Sequence, residues 1–325
     1  MTTIFHTTPY TTFEQRQTAA SLSKPERQKL IKGLLVTYPI FDKMVGFIRE
    51  FHYPAGPDGL PGSGAIGGLL GKTGVGKSDI CKFYGNAWPS VVTEDGVRFP
   101  VVYINATGEM TPSTFCEAIY LATGAQSAPG GIKSSAYIRR AVERLHMCGC
   151  VFLILDDAQF LFCGRVKSQV NQFYSFLKQA VDTEAMNILL VGENDIEPFV
   201  KGNPPLHRRG NFPKMPLTAL GEEGDEFEQF RLLLRKVDNR LPYLEASHLD
   251  SKEYAEDFHL FSGGALGMVM NLIRYAGYRA LAEGTSHITR EHLQIEASRR
   301  RRTGDSYSYF DRPPTPTKRR ATTSN

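Results

Sequence analysis

A phosphate-binding loop motif constrains the fold of this chain more than any other feature of its sequence. Residues 71–78 read GKTGVGKS, a complete GxxxxGKS/T motif, and they follow an apolar run, Ala65 to Leu70, that can form a buried strand. Glycines let successive backbone N–H groups face phosphates, Lys77 can reach the β and γ oxygens, and the Ser78 hydroxyl can hold Mg²⁺. The predicted nucleotide-binding residues are Gly71, Thr73, Gly74, Val75, Gly76, Lys77 and Ser78.

The composition is that of a folded protein with a sizeable core. The chain has 325 residues, of which 41% are hydrophobic and 11% aromatic, enough for two domains and tails. Its five cysteines lack zinc-site spacing, so we expect small buried thiols in a reducing compartment. No apolar stretch is long enough to span a bilayer, and the polar start lacks the pattern of a signal peptide. We therefore expect a cytoplasmic protein with no membrane partner.

Basic charge is concentrated at the C-terminus. Residues 299–325 contain eight Arg and Lys and two Asp, a net charge of +6, so the rest of the chain must carry −2 to give the overall +4. This segment is also rich in Pro, Ser and Thr and poor in aliphatic residues, which predicts a disordered tail. Such a tail can grip DNA phosphates or dock a partner, or it can be a solvated terminus without a binding role.

Strand and helix patterns alternate through the first two thirds of the chain. The apolar strand candidates are Ala65 to Leu70, Val101 to Ile104, Val151 to Leu155 and Ile188 to Val191. The helical patterns between them include Ser113 to Leu121, Tyr137 to Met147 and Val170 to Val181. This alternation predicts an α/β fold with a doubly wound parallel sheet, whose ligands bind at the carboxyl ends of the strands.

From Glu222 onward only helical patterns remain, which predicts a small all-helical second domain. The predicted helices are Phe227 to Val237, Tyr254 to Phe261, Leu266 to Leu281, and a last one after Thr289. The predicted divisions are an N-terminal polar arm and helical segment at 1–54, the nucleotide-binding domain at 55–217, the helical domain at 218–298 and the tail at 299–325.

Two acidic residues follow the third apolar strand. Residues 152–157 read FLILDD, so four apolar residues lead directly into Asp156 and Asp157. In phosphoryl-transfer ATPases the first acid of such a pair ligates Mg²⁺, directly or through water, and the second orients and polarises the attacking water. The alternative is a pair that merely caps the end of a strand. The acidic pair ends a predicted strand that follows the phosphate-binding loop in the sequence, and this position favours the catalytic interpretation.

The order of these features resembles that of the AAA+ ATPases and, among them, the TniB/TnsC regulators of DNA transposition. The resemblance runs from about Ser23 to Ile295. It rests on residues 71–78, 100–104 with Thr111-Pro112, 153–159, 189–193, 240–242 and 261–267. It implies an AAA+ P-loop NTPase whose helical domain is a C-terminal lid. It further implies ATP and Mg²⁺ as cofactors, and an oligomer, ring or helical filament, on double-stranded DNA. The implied partners are a TniA/TnsB-like transposase and a TniQ-like target-selection protein.

The resemblance also implies roles for four further residues near the nucleotide. Glu193 and Asn194 take the place of the polar residue that senses the γ-phosphate, although they can equally be an ordinary strand-to-loop pair. Arg208 and Arg209 occupy the segment that supplies an arginine finger to the ATP of a neighbouring subunit. Two solvated surface arginines are the alternative, and the sequence does not distinguish which arginine acts.

One departure from the family concerns turnover, since Asp157 stands where the family carries Glu. The shorter side chain places the carboxylate farther from the water, so hydrolysis is expected to be slow. The family places DNA contacts on the loops after the second strand and before the third. The corresponding candidates are Thr111, Lys133, Arg139 and Arg140, each of which can instead be a solvated surface residue.

The sequence therefore predicts an ATP-dependent regulator of transposition that oligomerises on target DNA and recruits or activates a transposase. Two alternatives remain open. One is a nucleotide-switched scaffold that binds ATP and scarcely hydrolyses it, consistent with Asp157. The other is an ATPase like the replication initiators or helicase loaders, which usually carry a winged helix after the lid.

Overall fold

The computed structural model describes residues 3–52, 64–130, 134–182 and 186–312. Their contacts form two compact units. An α/β unit comprises Pro39–Thr218, and a helical unit combines Met1–Tyr38 with Ala219–Asn325. Lys133 and residues 313–325 lie outside the described residues, so the predictions made for them are not addressed by the structure.

The α/β unit is built on a five-stranded sheet in which all the pairings are parallel. Its strands are β1 Ile66–Leu70, β4 Val101–Asn105, β5 Phe152–Asp156, β6 Asn187–Gly192 and β7 Lys214–Pro216. Their order is β4-β5-β6-β1-β7, and a separate antiparallel hairpin pairs β2 Val91–Thr93 with β3 Gly96–Arg98. The three central strands are buried along their whole length, as expected of near-continuous apolar runs in a parallel sheet. All four predicted strands are therefore confirmed.

Helices cover both faces of this sheet. They are α3 Pro39–His52, α4 Lys77–Asn86, α5 Pro112–Ala122, α6 Ser134–Met147, α7 Gln159–Phe162, α8 Lys167–Asp182, α9 Ile196–Lys201 and α10 Pro204–His207. On one face, Leu153 and Leu155 of β5 join the core formed with α5, α6 and α8. On the other face, Phe152 stacks on His52 of α3 at a centroid distance of 4.7 Å. The predicted α/β fold with a doubly wound parallel sheet is confirmed.

The apolar periodicity of the longer helices explains why they pack here. In α8, Val170, Phe173 and Leu177 recur on one face, and all three are buried. Phe173 and Phe176 of this helix meet Phe115 of α5 edge to face, with ring centroids 5.7 and 4.8 Å apart. Each such buried aromatic ring contributes about 2–3 kcal/mol of transfer free energy. The short elements β2, β3, β7, α7, α9 and α10 were not predicted, because runs of three to six residues carry little periodic signal.

The helical unit contains α1 Phe13–Ala20, α2 Lys24–Gly33, α11 Gly224–Asp238, α12 Lys252–Ser262, α13 Leu266–Glu283 and α14 Arg290–Arg300. The predicted all-helical region after Glu222 is confirmed, and Thr289 is the N-cap of α14. Helix α2 packs on α13, where an added Cβ at Gly277 would lie 3.3 Å from the Ile31 side chain. The Tyr10 N–H donates to the Asn239 carbonyl at 2.5 Å, which holds the N-terminal segment on the same unit.

The contacts divide residues 1–54 in a way that the sequence did not indicate. The predicted N-terminal segment is shared between the units, since residues up to Tyr38 belong to the helical unit and α3 belongs to the α/β unit. The physical reason is that the apolar side chains of this segment are buried in different units. Phe41 of α3 meets Phe83 of α4 edge to face at 5.2 Å, whereas Ile31 of α2 is fully buried in the helical unit.

Residues 299–312 also differ from the expected disordered tail. Phe310 is fully buried, and its ring meets Phe258 of α12 edge to face at 4.8 Å. Its N–H donates to an Asp257 carboxylate oxygen at 2.6 Å, and the Tyr307 hydroxyl donates to the other oxygen at 3.0 Å. Two aromatic residues within an otherwise polar stretch, Tyr309 and Phe310, supply the apolar burial that composition alone did not reveal.

Two further expectations concern cysteines and membranes. Four of the five cysteines are buried, Cys163 is half-buried, and none forms a disulfide. Burial raises the pKa of the Cys150 thiol to about 12, which favours the neutral thiol. Among the described residues, no helix combines the length and the apolar character needed to span a bilayer.

Candidate functional site

The carboxyl ends of three neighbouring strands meet at one edge of the sheet. Strand β1 leads into the glycine-rich loop, β5 ends at Asp156, and β6 ends at Gly192. The Gly71 N–H donates to the Gly192 carbonyl at 3.0 Å, and the Ala158 N–H donates to the Val191 carbonyl at 2.9 Å. The phosphate-binding loop and the acidic pair therefore lie at the same edge, where parallel sheets bind their ligands.

The glycines of the loop are required by its backbone. Gly74 and Gly76 have φ values of 83° and 104°, in the region that is costly for residues with a Cβ. Gly71 is required for a different reason, because an added Cβ would lie 2.2 Å from the Leu217 carbonyl oxygen. Gly76 is also the N-cap of α4, so the loop passes directly into the first turn of a helix. The unpaired N–H groups of that turn can hold an anion.

The Lys77 side chain is hydrogen-bonded to the start of this loop. This side chain is buried, and Nζ donates to the carbonyls of Gly71 at 2.8 Å and Lys72 at 2.9 Å. Burial lowers the pKa of Lys77, while the charges of Asp156, Asp157 and Glu193 act in the opposite direction. The ammonium group is therefore hydrogen-bonded to the loop itself, and the charges of the three carboxylates at this edge of the sheet favour its protonated form.

Asp156 is buried at the end of β5 and has a partner for each oxygen. Oδ1 accepts the Asp157 N–H at 3.0 Å, and Oδ2 accepts the Tyr103 hydroxyl at 2.5 Å. Burial, followed by the Asp156 charge, raises the pKa of Tyr103, so the phenol keeps its proton and remains a donor. Each carboxylate oxygen retains a further lone pair, and with the Ser78 hydroxyl these oxygens suit a Mg²⁺ ion.

Asp157 and Glu193 are joined by one glutamine. Gln159 Nε2 donates to Asp157 Oδ1 at 3.2 Å, and Gln159 Oε1 accepts the Glu193 N–H at 3.3 Å. The Glu193 carboxylate in turn accepts the Thr73 hydroxyl of the loop at 2.5 Å. Asp157 adopts a left-handed backbone with φ of 52°, which is uncommon for a residue other than glycine. The structure thus connects the loop to the second acid through hydrogen bonds.

Asn194 is placed differently from Glu193. Its side chain is exposed and makes no hydrogen bond to the described part of the chain, while its carbonyl accepts the Glu197 N–H at 3.1 Å. Of the two residues predicted to sense the γ-phosphate, Glu193 is the one that the described structure joins to the phosphate-binding loop by a hydrogen bond.

Comparison with known protein families matches the central part of the chain. Residues 62–200 match the AAA domain. The fold is that of the AAA+ P-loop proteins. The matched range contains the phosphate-binding loop, the acidic pair and Glu193. No curated protein matches the chain.

Three similar solved structures with the AAA+ fold are archaeal proteins. The Cdc6 protein of Pyrobaculum aerophilum has 16% sequence identity and a TM-score of 0.58, over 82% of this chain and 68% of that one. The Orc1 protein of Aeropyrum pernix in complex with DNA has 18% identity and a TM-score of 0.57, over 81% of this chain and 66% of that one. The Aeropyrum pernix Orc2 protein with ADPNP and ADP has 17% identity and a TM-score of 0.52, with 79% and 66% covered. The chain therefore spans about two thirds of the length of these structures.

The two arginines that were predicted as finger residues have different surroundings. Arg209 is committed within its own chain: its Nε donates to Asp182 Oδ1 at 2.6 Å, and its Nη1 donates to the Pro205 carbonyl. Arg208 directly follows α10, and its side chain is exposed without a hydrogen bond to the described residues. Of the two, Arg208 alone presents an uncommitted guanidinium to the outside of the α/β unit.

The candidate DNA contacts are dispersed over two elements. Thr111 is the N-cap of α5, and its hydroxyl accepts the Thr114 N–H at 3.2 Å, so this side chain already stabilises the start of the helix. Arg139 and Arg140 lie exposed on α6, where Arg139 forms an ion pair with Glu143 at 3.8 Å. The structure leaves the two arginines accessible to a phosphate backbone.

Sequence reasoning did not identify Tyr103 and Gln159 as site residues. Tyr103 lies opposite Ile154 in the β4–β5 pairing. Ile154 precedes Asp156 by two residues and points to the same face of the sheet, so Tyr103 shares that face with Asp156. The strand register alone could have suggested this contact. Gln159 follows Asp157 by two residues, but its bond to Glu193 depends on how β6 packs beside β5.

Proposed function

We propose that this protein is an ATPase that binds ATP and Mg²⁺ at the edge of its parallel sheet and assembles on duplex DNA. The observation that carries the proposal is that one edge of the sheet holds the Lys77 ammonium, bound to the carbonyls of the phosphate-binding loop, the acidic pair at the end of β5, and Glu193, which accepts a hydrogen bond from the same loop. A cation, an anion-binding loop and ligands for a divalent ion in one place are the components that phosphoryl transfer requires.

Each residue has a distinct part in this proposal. The N–H groups of the loop and of the first turn of α4 bind the phosphates, and Lys77 neutralises the β and γ oxygens. Ser78 and Asp156 hold Mg²⁺, which neutralises charge on the phosphates when it is bound. Asp157 accepts a proton from the attacking water. We expect slow turnover, because its side chain is one methylene shorter than that of glutamate.

Assembly depends on Arg208 in this proposal. An exposed guanidinium can form paired hydrogen bonds to the phosphates of ATP bound by a neighbouring subunit, so that nucleotide fastens two copies together. Arg209 is less suited to this role, since its guanidinium is held by Asp182 and the Pro205 carbonyl. Arg139 and Arg140 are the candidates for contact with the DNA backbone, and a ring or helical filament would repeat them in every subunit.

The biological role that we propose is regulation of DNA transposition in the cytoplasm. The resemblance of the sequence to the TniB/TnsC regulators supports it, and it implies a TniA/TnsB-like transposase and a TniQ-like target-selection protein as partners. A replication-initiator role is the second candidate, favoured by the likeness of the fold to the Cdc6 and Orc1 proteins, the latter solved in complex with DNA. A neighbouring gene for an integrase-type transposase would favour the first role over the second.

Sedimentation of the protein with duplex DNA tests the nucleotide-dependent assembly. The protein is mixed with DNA and ATP, ADP or no nucleotide, and large complexes are expected only with ATP. Lys77→Ala should abolish them, whereas Lys72→Ala, an exposed lysine of the same loop, should not. Arg208→Ala should weaken assembly and leave ATP binding by the single subunit unchanged, whereas Arg209→Ala should weaken assembly less. Equal complexes without nucleotide would contradict the proposal.

A nucleotide-switched scaffold is distinguished from an ATPase by phosphate release. The short carboxylate of Asp157 is the observation that favours the scaffold. If ATP supports assembly and no phosphate is released over many hours, the protein is a switch without turnover. If phosphate is released and Asp157→Asn abolishes its release, the ATPase proposal is supported.

A further inference from the structure

We propose that Gln159 is a positioning residue that holds the Asp157 carboxylate for hydrolysis and ties its position to the phosphate-binding loop. The inference rests on the proposed ATPase function and assigns a role to a residue outside the phosphate-binding loop and the acidic pair. Gln159 begins α7, and its carboxamide lies between the ends of β5 and β6.

The carboxamide has one orientation that satisfies both of its partners. Nε2 donates to Asp157 Oδ1 at 3.2 Å, while Oε1 accepts the Glu193 N–H at 3.3 Å. Rotating the amide by half a turn would place its oxygen against the carboxylate and its NH₂ against the N–H group. Both contacts would then be repulsive, because acceptor would meet acceptor and donor would meet donor. The orientation of Gln159 is therefore fixed by the two strand ends.

Gly192 creates the space in which this glutamine lies. A Cβ added at Gly192 would be 2.1 Å from Gln159 Oε1 and 2.7 Å from the Ile196 side chain. Carbon and oxygen cannot approach to 2.1 Å without a bond, so any residue larger than glycine must displace the carboxamide. The glycine at the end of β6 is thus a requirement of the Gln159 position.

The Gln159 bridge extends to the loop that would bind the nucleotide. The Thr73 hydroxyl donates to the Glu193 carboxylate at 2.5 Å, and the Glu193 N–H donates to Gln159, which donates to Asp157. The path runs from the loop to the Glu193 side chain, and from the Glu193 backbone N–H to the glutamine that orients Asp157, so in this proposal a displacement of the loop is passed on to Asp157. Misplacing a catalytic carboxylate by about 1 Å costs on the order of 100-fold in rate.

The first test compares kcat with nucleotide affinity. Gln159→Ala should lower kcat about tenfold or more and change the Kd for ATP less than about twofold, because Gln159 is predicted to act through Asp157 and not on the phosphates. Gln159→Glu is nearly isosteric and keeps an acceptor for the Glu193 N–H, but it presents a carboxylate to Asp157. It should lose as much kcat as Gln159→Ala. Gln172→Ala on α8, whose side chain has no hydrogen bond to the described residues, is the matched control.

The second test uses the packing of Gly192 against Gln159. Gly192→Ala should lower kcat to a similar extent by displacing the carboxamide. Because the shortest contact of the new methyl group is with Gln159, the double variant Gln159→Ala/Gly192→Ala should fall little below either single variant. Two independent sites would instead give the product of the two losses.

Three results would overturn the inference. The first is an unchanged kcat in Gln159→Ala, and the second is a full kcat in Gln159→Glu. The third is a loss of kcat in Gln159→Ala that is matched by equal losses of ATP affinity and thermal stability, because this would indicate a merely structural role. These results leave the ATPase proposal intact. A wild-type protein that binds ATP and releases no phosphate contradicts both proposals, and the two kinds of failure are therefore distinguishable.

Discussion

Substituting Phe310 with alanine tests whether the C-terminal aromatic residues anchor residues 299–312 to the helical unit. Phe310 is fully buried, and its ring meets Tyr254 and Phe258 of α12 edge to face at 5.7 and 4.8 Å. Removing a buried phenylalanine ring typically costs about 3–5 kcal/mol through lost transfer free energy and the cavity left behind. The loss cannot exceed the free energy that holds the segment in place, because the segment can detach while the remaining helices stay folded.

Two measurements separate these possibilities. If the segment and the unit unfold together, the thermal midpoint of Phe310→Ala should fall by roughly 6 °C or more. If the segment detaches first, the midpoint falls less, but trypsin should cleave after Arg301 and Arg302 much faster than in the wild type. Phe13→Ala is the control, since Phe13 belongs to the same unit and is 62% exposed. A Phe310→Ala protein that matches the control in both assays would refute the reasoning.

Three further predictions concern the α/β unit. Asp157→Glu should raise kcat if the short carboxylate limits turnover, and phosphate release measured at saturating ATP would show an unchanged rate if it does not. Gly71→Ala should abolish ATP binding in a fluorescence titration, because the new methyl group would displace the loop, whereas Gly85→Ala in α4 has free space and should stabilise the protein by about 0.5–1 kcal/mol. Burial lowers the pKa of His52 to about 4, so the unfolded state binds more protons between about pH 4 and 6.5, and stability should fall as the pH falls through that range. Urea unfolding should show a smaller loss over this range for His52→Phe, and an identical loss would exclude His52 as its source.

The principal elements of the α/β unit could be predicted because their signals are local. The apolar run of β1, the glycine-rich loop and the helical pattern after Lys77 adjoin one another in the sequence, so one short segment indicates a strand, a turn and a helix. Asp156 and Asp157 were recognisable for the same reason, since they end an apolar run. The structure confirms the fold class. It places the acidic pair at the end of β5, and only β6 separates that strand from β1, which leads into the loop.

The partners of these residues could not be predicted, because they depend on which strands become neighbours. Gln159 reaches Glu193 only because β6 lies between β5 and β1, an order that the sequence does not state. The distinction between Arg208 and Arg209 has the same origin. Both are adjacent arginines in sequence, but Asp182, far away along the chain, binds only the second.

The division into units was also beyond the sequence. Residues 3–38 are mainly polar, yet they belong to the helical unit because a few of their apolar side chains, such as Ile31, are buried in it. Phe310 does the same for residues that composition predicted to be disordered. A single buried aromatic residue with a hydrogen-bonded backbone can outweigh the polar character of its neighbours, and composition averages this contribution away.

The sequence by itself determined that this chain contains a phosphate-binding loop, a parallel α/β fold and a helical region, because glycine positions and apolar periodicity act over a few consecutive residues. Only the tertiary structure decided which carboxylate accepts a hydrogen bond from the phosphate-binding loop, which of the two adjacent arginines is uncommitted and which glutamine joins Asp157 to Glu193. Those contacts link residues separated by tens of positions, and their formation depends on strand order, register and burial, which no short segment of sequence specifies.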